Sequence, residues 1–311
     1  MMTTAVLPLS QNSCALCPRR CRARRDDGEI GFCRVGSVPL VARAARHFGE
    51  EPCLAGPGGS GAVFFAGCNL GCVFCQNRLI SRGGAGKPVA VEALADLFLS
   101  LQEEGAENLD LVTPTPWVPQ IREALTLAWD RGFWLPVIYN CGGYESVEAL
   151  RTLSGCVAVY LPDFKYADPE LGRALSFVPD YPARALEALD EMVRQRGGPR
   201  FDRDGRLTRG VLVRHLVLPG HTDDSRRVIS LLHDRYGDDI ALSLMRQYTP
   251  LPGMTGSLSR KLTDGEYQEV VDYALAIGAD DLILQEKESV GEGYIPDFET
   301  GEENGESGDL S

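Results

Sequence analysis

Ala62-Val63-Phe64-Phe65-Ala66-Gly67-Cys68-Asn69-Leu70-Gly71-Cys72-Val73-Phe74-Cys75 is the stretch that decides how this chain is read. Its first five residues form a continuous apolar run of the kind that makes a buried strand. The three cysteines that follow stand at C-x3-C-x2-C spacing. Thiolate is a soft ligand that suits zinc or an iron–sulfur cluster. A closed tetrahedral site wants four ligands, and this loop offers three. A [4Fe-4S] cube held by three cysteines keeps one iron open for a substrate or cofactor. A zinc knuckle, or three buried free thiols, is the plainer reading of the same residues.

The spacing, with the aromatic Phe74 just before the last cysteine and a strand ahead of the loop, resembles the radical S-adenosylmethionine (SAM) enzymes. That resemblance implies that Cys68, Cys72 and Cys75 hold a [4Fe-4S] cluster whose open iron chelates the methionine moiety of SAM. It implies reductive cleavage of SAM to methionine and a 5′-deoxyadenosyl radical, which abstracts a hydrogen atom from a substrate. The cofactor does the hard chemistry, and the protein binds, orients and shields. Adenine is expected to rest against Phe74.

Working outward, the N-terminal residues 1–60 hold a second set, Cys14, Cys17, Cys21 and Cys33, at C-x2-C-x3-C-x11-C spacing. Four soft ligands form a closed zinc site or a fully ligated auxiliary iron–sulfur cluster. Arg19, Arg20, Arg22, Arg24 and Arg25 lie among them and can offset the thiolate charge, or bind RNA or an acidic partner. Seven of the ten cysteines thus stand at metal spacing, which fits metal better than disulfides in a cytoplasmic chain. Cys53, Cys141 and Cys156 are expected as small buried hydrophobes. His47 is expected to be a hydrogen-bonded structural residue, and Gly56–Gly61 a loop entering the first strand.

From residue 61 to about 290, strand-like and helix-like stretches alternate. Strands are expected at 62–66, 109–113, 135–139, 156–161, 210–217 and 239–245. Helices are expected at 91–104, 118–131, 145–153, 182–196, 223–235 and 264–277. Apolar runs such as Val211-Leu212-Val213 point to a parallel sheet covered by helices, an α/β fold. Six repeats match the partial (β/α)6 TIM-like barrel that the resemblance implies, whose active site lies at the C-terminal ends of the strands.

Polar residues at those ends are therefore the candidate SAM contacts. Thr113 and Thr115 follow the second strand, where many radical SAM enzymes carry Gly-Gly-Glu. Asn140 ends the third, ahead of Gly142-Gly143. Asp163-Phe164-Lys165 ends the fourth and resembles the Asp-x-Lys motif of the glycyl-radical-enzyme activating enzymes, in which acid and lysine lie near the methionine moiety. Arg214 and the turn Pro219-Gly220 on the fifth resemble the same branch and imply a ribose or carboxylate contact. Asp223 and Asp224 read as a helix cap and first-turn residues. Gln247, or Tyr248, follows the sixth, where that branch has a histidine.

The chain thus resembles pyruvate formate-lyase activating enzymes with an added four-cysteine segment, and such naming by analogy does not carry the substrate. The first expectation is an activating enzyme that takes a hydrogen from a glycine of a glycyl radical enzyme, recharged by reduced flavodoxin or ferredoxin. A second is radical SAM modification of another protein, peptide, RNA or small molecule. A third, of another class, is a non-catalytic iron–sulfur binding or redox-sensing protein.

The 311 residues carry a net charge of −13, which argues against a broad nucleic-acid surface. No apolar stretch approaches the roughly 18 residues of a membrane span, and residues 1–11 lack the pattern of a secretion signal. The expected compartment is the cytoplasm. Residues 291–311 are acidic, poor in hydrophobes and expected to be disordered.

Overall fold

The computed structural model describes residues 13–82, 84–279 and 282–285. The expectations for residues 1–11 and for the acidic tail lie outside them. Alternating strands and helices appear in chain order. The strands are β1 (Leu40–His47), β2 (Ser60–Phe65), β3 (Lys87–Pro88), β4 (Asn108–Val112), β5 (Val137–Cys141), β6 (Val159–Pro162), β7 (Arg200–Phe201), β8 (Leu207–Leu216), β9 (Ala241–Met245) and β10 (Leu282–Leu284). The helices are α1 (Arg78–Ser81), α2 (Val91–Glu103), α3 (Val118–Asp130), α4 (Val147–Thr152), α5 (Pro169–Ser176), α6 (Tyr181–Arg196), α7 (Thr222–Tyr236) and α8 (Asp264–Ala276).

The sheet runs β10-β9-β8-β6-β5-β4-β2-β1-β3, with β7 paired to β8 off this path, and it does not close on itself. From β2 to β10 every neighbouring pair on the path is parallel. This is the expected α/β partial barrel. The hairpin β1–β2 and the short β3 extend it in antiparallel sense. None of the described helices is long and apolar enough to cross a membrane.

Local sequence explains the helices. In α2 the buried residues Leu94, Ala95, Phe98 and Leu101 recur at helical spacing and form the face laid on the sheet. The helix α8 opens with a capping box: Thr263 accepts the Glu266 N–H, and Glu266 reaches back to the Thr263 N–H. Proline starts α3 and α5 within their first turns, where a missing N–H costs no helical bond.

Alternation along the strands sorts residues onto two faces. Tyr139, Tyr160, Val211 and Val213 point to the helical layer. Ile138, Val159, Leu161, Leu212 and Ala241 point to the concave face, where Leu54 joins them. Leu54 comes from the β1–β2 connection, and the Leu207 N–H donates to the Cys53 carbonyl beside it at 2.7 Å. The connection therefore fills the lower part of the barrel; burying Leu54 contributes about 2 kcal/mol. Two residues further along the same strands the concave face turns polar, with Asp110, Asn140, Asp163, Arg214 and Ser243. That change marks the site.

Candidate active site

The loop carrying Cys68, Cys72 and Cys75 leaves the C-terminal end of β2. Its shape is set largely from outside. The Gly67 N–H donates to the Ile80 carbonyl and the Val73 N–H to the Leu175 carbonyl. Trp117 Nε1 donates to the Ala66 carbonyl at 3.1 Å. At the sulfurs, the Leu70 N–H faces Cys68 Sγ at 3.4 Å, and Cys72 Sγ lies 3.0 Å from Ser176 Oγ. Burial, and after it the neighbouring thiols, push the Cys68 and Cys75 thiols up.

This donor set fits a cluster. Three soft thiols share one loop, a backbone N–H points at one sulfur, and Lys165 lies close enough to oppose the charge on Cys68 and Cys75. Among the described residues no three such side chains converge on a single ion. A cube does not require that, because each thiolate takes a different corner.

Lys165 and Asp163 stand across from the loop at the end of β6. Lys165 Nζ lies 2.5 Å from Asp163 Oδ2, and both side chains are partly open, at 19% and 31%. Burial works against the lysine charge, yet Asp163 and then Cys72 outweigh it and hold Lys165 protonated. The Tyr181 hydroxyl braces the pair: it accepts the Lys165 N–H at 3.0 Å and lies 2.9 Å from the Asp163 carbonyl. Gly143, at φ 77°, passes so close that a Cβ would sit 2.1 Å from that same carbonyl. Gly142 admits Leu70 instead, whose Cδ1 would be 2.7 Å from a Cβ.

The remaining candidates divide. The Phe74 ring packs 6.2 Å from that of Tyr248. Gln247 reaches the loop through Gln76, whose Nε2 donates to the Gln247 carbonyl at 2.8 Å. Asn140 Nδ2 donates to Asp110 Oδ2 at 3.2 Å on the concave face. Thr113 takes the left-handed conformation at φ 59°, and its N–H donates to the Asn140 carbonyl. Thr115 turns away: its hydroxyl donates to buried Glu145 at 2.7 Å. Arg214 is gripped by Glu50 and Glu51 from the β1–β2 connection. Next to them burial, and then Glu50, push the Asp110 carboxyl well up.

Cys14, Cys17, Cys21 and Cys33 line one small cavity, together with Arg19, Asn69 and Thr115. Of the arginines there, Arg25 is buried and donates to the carbonyls of Gly36 and Pro116. Arg24 pairs with Glu29. Cys53, Cys141 and Cys156 stand apart from both cysteine sets; Cys141 is buried, and the other two pack beside apolar clusters. The His47 ring stands edge-on to Phe64 at 6.1 Å.

Sequence reasoning alone does not find Ser176, Tyr181, Glu145 or the pair Glu50-Glu51. Only the last gives a signal, two acids ahead of a proline in a stretch with no motif.

Comparison with known proteins gives a consistent result. The family described as the radical SAM superfamily matches residues 62–232. The chain is 30% identical over 273 residues to the uncharacterized protein MJ0674 of Methanocaldococcus jannaschii, covering 84% of this chain and 74% of that protein. Among solved structures it is similar to SuiB of Streptococcus suis bound to S-adenosylmethionine, at TM-score 0.50 and 11% identity over 70% of this chain. It is also similar to a radical SAM methyltransferase from Sphaerobacter thermophilus, at TM-score 0.50 and 15% identity over 72% of this chain. The FeFe-hydrogenase maturase HydG of Carboxydothermus hydrogenoformans gives TM-score 0.50 and 14% identity over 71%. The chain spans about half of SuiB and HydG, 48% and 51%, and 65% of the methyltransferase. At these identities the likeness shows the fold.

Proposed function

This chain belongs to the radical SAM superfamily, and from that premise we propose that Cys68, Cys72 and Cys75 carry the cluster and that Lys165 and Asp163 receive the methionine moiety of SAM. The cluster, when bound, supplies the electron that splits SAM into methionine and the deoxyadenosyl radical that takes a hydrogen atom from the substrate. The observation that carries the reading is the placement of the Lys165–Asp163 pair at the end of β6, close enough for its charge to act on the thiols of the β2 loop. A protonated lysine there can pair with the SAM carboxylate, and Asp163 orients it and can accept from the SAM ammonium. Phe74, buried beside Tyr248, offers the adenine an apolar wall. Asn140 and Gln247 offer polar contacts at the ends of β5 and β9. Thr113 offers a hydroxyl at the end of β4. Thr115 serves the site through Glu145 rather than by touching SAM, and Arg214, beside Asp163 in the sheet register, through its grip on Glu50 and Glu51.

The hydrogen donor we propose is a glycine of a glycyl radical enzyme, with reduced flavodoxin or ferredoxin as electron donor. Asp163-Phe164-Lys165 supports this by its resemblance to the activating enzymes. A second reading, modification of another protein, peptide, RNA or small molecule, is favoured by the four-cysteine segment packed on the cluster loop, which simple activating enzymes lack.

The test is anaerobic. The protein is reconstituted with iron and sulfide, given SAM and a strong reductant, and 5′-deoxyadenosine is measured with and without a candidate glycyl radical enzyme. Deoxyadenosine together with a new glycyl radical on the partner supports the first reading. Deoxyadenosine that no such partner alters favours the second. A spectroscopically intact cluster that never yields deoxyadenosine overturns both.

A further inference from the structure

The two cysteine-bearing segments touch, and one side chain joins them. Arg19 lies between Cys17 and Cys21. Its Nε donates to the main-chain carbonyl of Asn69, inside the Cys68–Cys75 loop, at 2.5 Å. Its Nη2 reaches the carbonyls of Ser176 and Phe177 at 3.4 and 3.5 Å. Ser176 is the residue whose hydroxyl faces Cys72 Sγ. The guanidinium carbon lies over the ring of Phe32, the residue before Cys33, 3.4 Å from its centroid.

Other contacts bind the same seam. Gly67, which precedes Cys68, has φ 85°; a Cβ there would lie 2.6 Å from Val35 Cγ1 and 2.9 Å from the Cys33 carbonyl. The strap that carries the fourth cysteine therefore lies directly on the backbone entering the loop. Asn69 lines the four-cysteine cavity, and its Nδ2 donates to the Tyr144 carbonyl. Carbonyls in such a loop have no ladder to satisfy them, so an outside donor decides where they point.

We propose that the four-cysteine segment is a clasp on the cluster loop, with Arg19 as its pin: metal held by Cys14, Cys17, Cys21 and Cys33 fixes the positions of Arg19 and Val35, and these fix Asn69 and Gly67 on either side of Cys68. Arg19 is thus a positioning residue for the cluster. The proposal rests on the reading that both cysteine sets take metal.

The test uses the full chain, reconstituted anaerobically, as wild type, Arg19→Met, Arg19→Lys and Cys17→Ser. Two quantities are read: the rate of iron loss to a ferrous chelator, and the change that SAM causes in the electron paramagnetic resonance spectrum of the reduced protein. The SAM-dependent change belongs to the open-site cluster, so it reports on the barrel loop whichever metal the N-terminal set holds. Arg19→Met is expected to lose iron about tenfold faster, as loss of a charge-assisted hydrogen bond implies, and to show a weakened SAM response at an unchanged melting temperature. Arg19→Lys, which can still donate to Asn69, is expected to recover part of both, and Cys17→Ser to weaken the SAM response as Arg19→Met does while melting lower, because it removes a metal ligand. Wild-type iron loss and SAM response in Arg19→Met would overturn the clasp. If Arg19→Met does not fold, Arg19→Lys and Cys17→Ser decide by the same two readings. A wild type that holds its cluster without responding to SAM sinks the proposed function instead, and iron loss from Arg19→Met, which keeps all seven thiols, then judges the clasp.

Discussion

Arg214 and Glu51 are joined by two parallel hydrogen bonds on the concave face, Nε to Oε1 at 2.8 Å and Nη2 to Oε2 at 2.5 Å. Glu50 takes the same guanidinium, and Ser243 donates to Glu51 at 3.0 Å. Burial opposes the ionised Glu51, but the Arg214 charge and its hydrogen bonds win and hold that carboxyl below its usual range. A fork-to-fork pair of this kind fastens the β1–β2 connection to the barrel wall.

Arg214→Met is therefore expected to destabilise the fold by about 3–5 kcal/mol, because it leaves buried carboxylates without their cation. The pH profile should change sign as well. In the wild type Glu51 stabilises the fold above the ordinary carboxylate range, near pH 4.3, and this contribution fades as the pH falls. In Arg214→Met the buried carboxyl rises instead, so stability falls as the pH climbs. Denaturant melts at several pH values between 4 and 8 check this. Parallel profiles for the two proteins would show that the pair does not carry the connection.

Among the described residues no cation pairs with Glu145. Burial raises its carboxyl to about 7, against the hydrogen bonds from Thr115 and Tyr139. A raised carboxyl stabilises fully below its unfolded value, and that contribution is lost as the pH rises through about 7. Glu145→Gln keeps the acceptor without the titration. Its melting temperature is expected to vary less than that of the wild type between pH 5 and 8, and to overtake it at the upper end. An unchanged wild-type slope in the variant would assign the pH dependence to other groups.

Gly143→Ala tests the turn that places Asp163. The added Cβ meets the Asp163 carbonyl at 2.1 Å, and φ 77° is disfavoured for any residue with a side chain. The backbone at Asp163 or at Gly143 has to move. A loss of about 2 kcal/mol or more in stability is expected, with SAM turnover falling further than the loss of folded protein explains. Gly105→Ala, also at positive φ but with open space around the Cβ, serves as the control that carries only the conformational cost.

Much of this architecture was readable from apolar periodicity, and what was not has physical reasons. The expected strands at 62–66 and 239–245 became Ser60–Phe65 and Ala241–Met245, because continuous buried runs bound themselves. Leu40–His47 escaped notice because its arginines and half-buried residues belong to a hairpin outside the parallel core. Pro169–Ser176 is only two turns long and follows Asp168, so it resembled a loop; its last residue nevertheless touches Cys72. Cysteine spacing, being local, set apart the four N-terminal cysteines that line one cavity and the three that share the β2 loop. The partners of Arg214 lie more than 160 positions away, and no local pattern reports a contact of that range. The bond from Thr115 to buried Glu145 spans 30 positions, and neither residue announces it in the sequence.

Lys165 offers the sharpest test of the SAM pocket. Its ammonium is paired with Asp163 and lies near the cluster cysteines, while its side chain keeps 19% of its surface open. Most of both side chains is buried, so Lys165→Met also leaves Asp163 without its cation and is expected to cost some stability; the kinetics are therefore read per folded, cluster-loaded protein. If the ammonium binds the SAM carboxylate, its removal forfeits a charge-assisted bond of about 1.5–3 kcal/mol. That predicts about a 10–100-fold loss in kcat/KM for SAM cleavage. The loss should fall mainly on KM, because the carboxylate is bound alike before and during cleavage. Lys165→Arg, which keeps the charge at a different reach, should recover part of it. Deoxyadenosine kinetics on cluster-loaded protein check this. A Lys165→Met enzyme with the KM and kcat of the wild type would remove Lys165 from the SAM site and leave the pair with Asp163 as a structural contact.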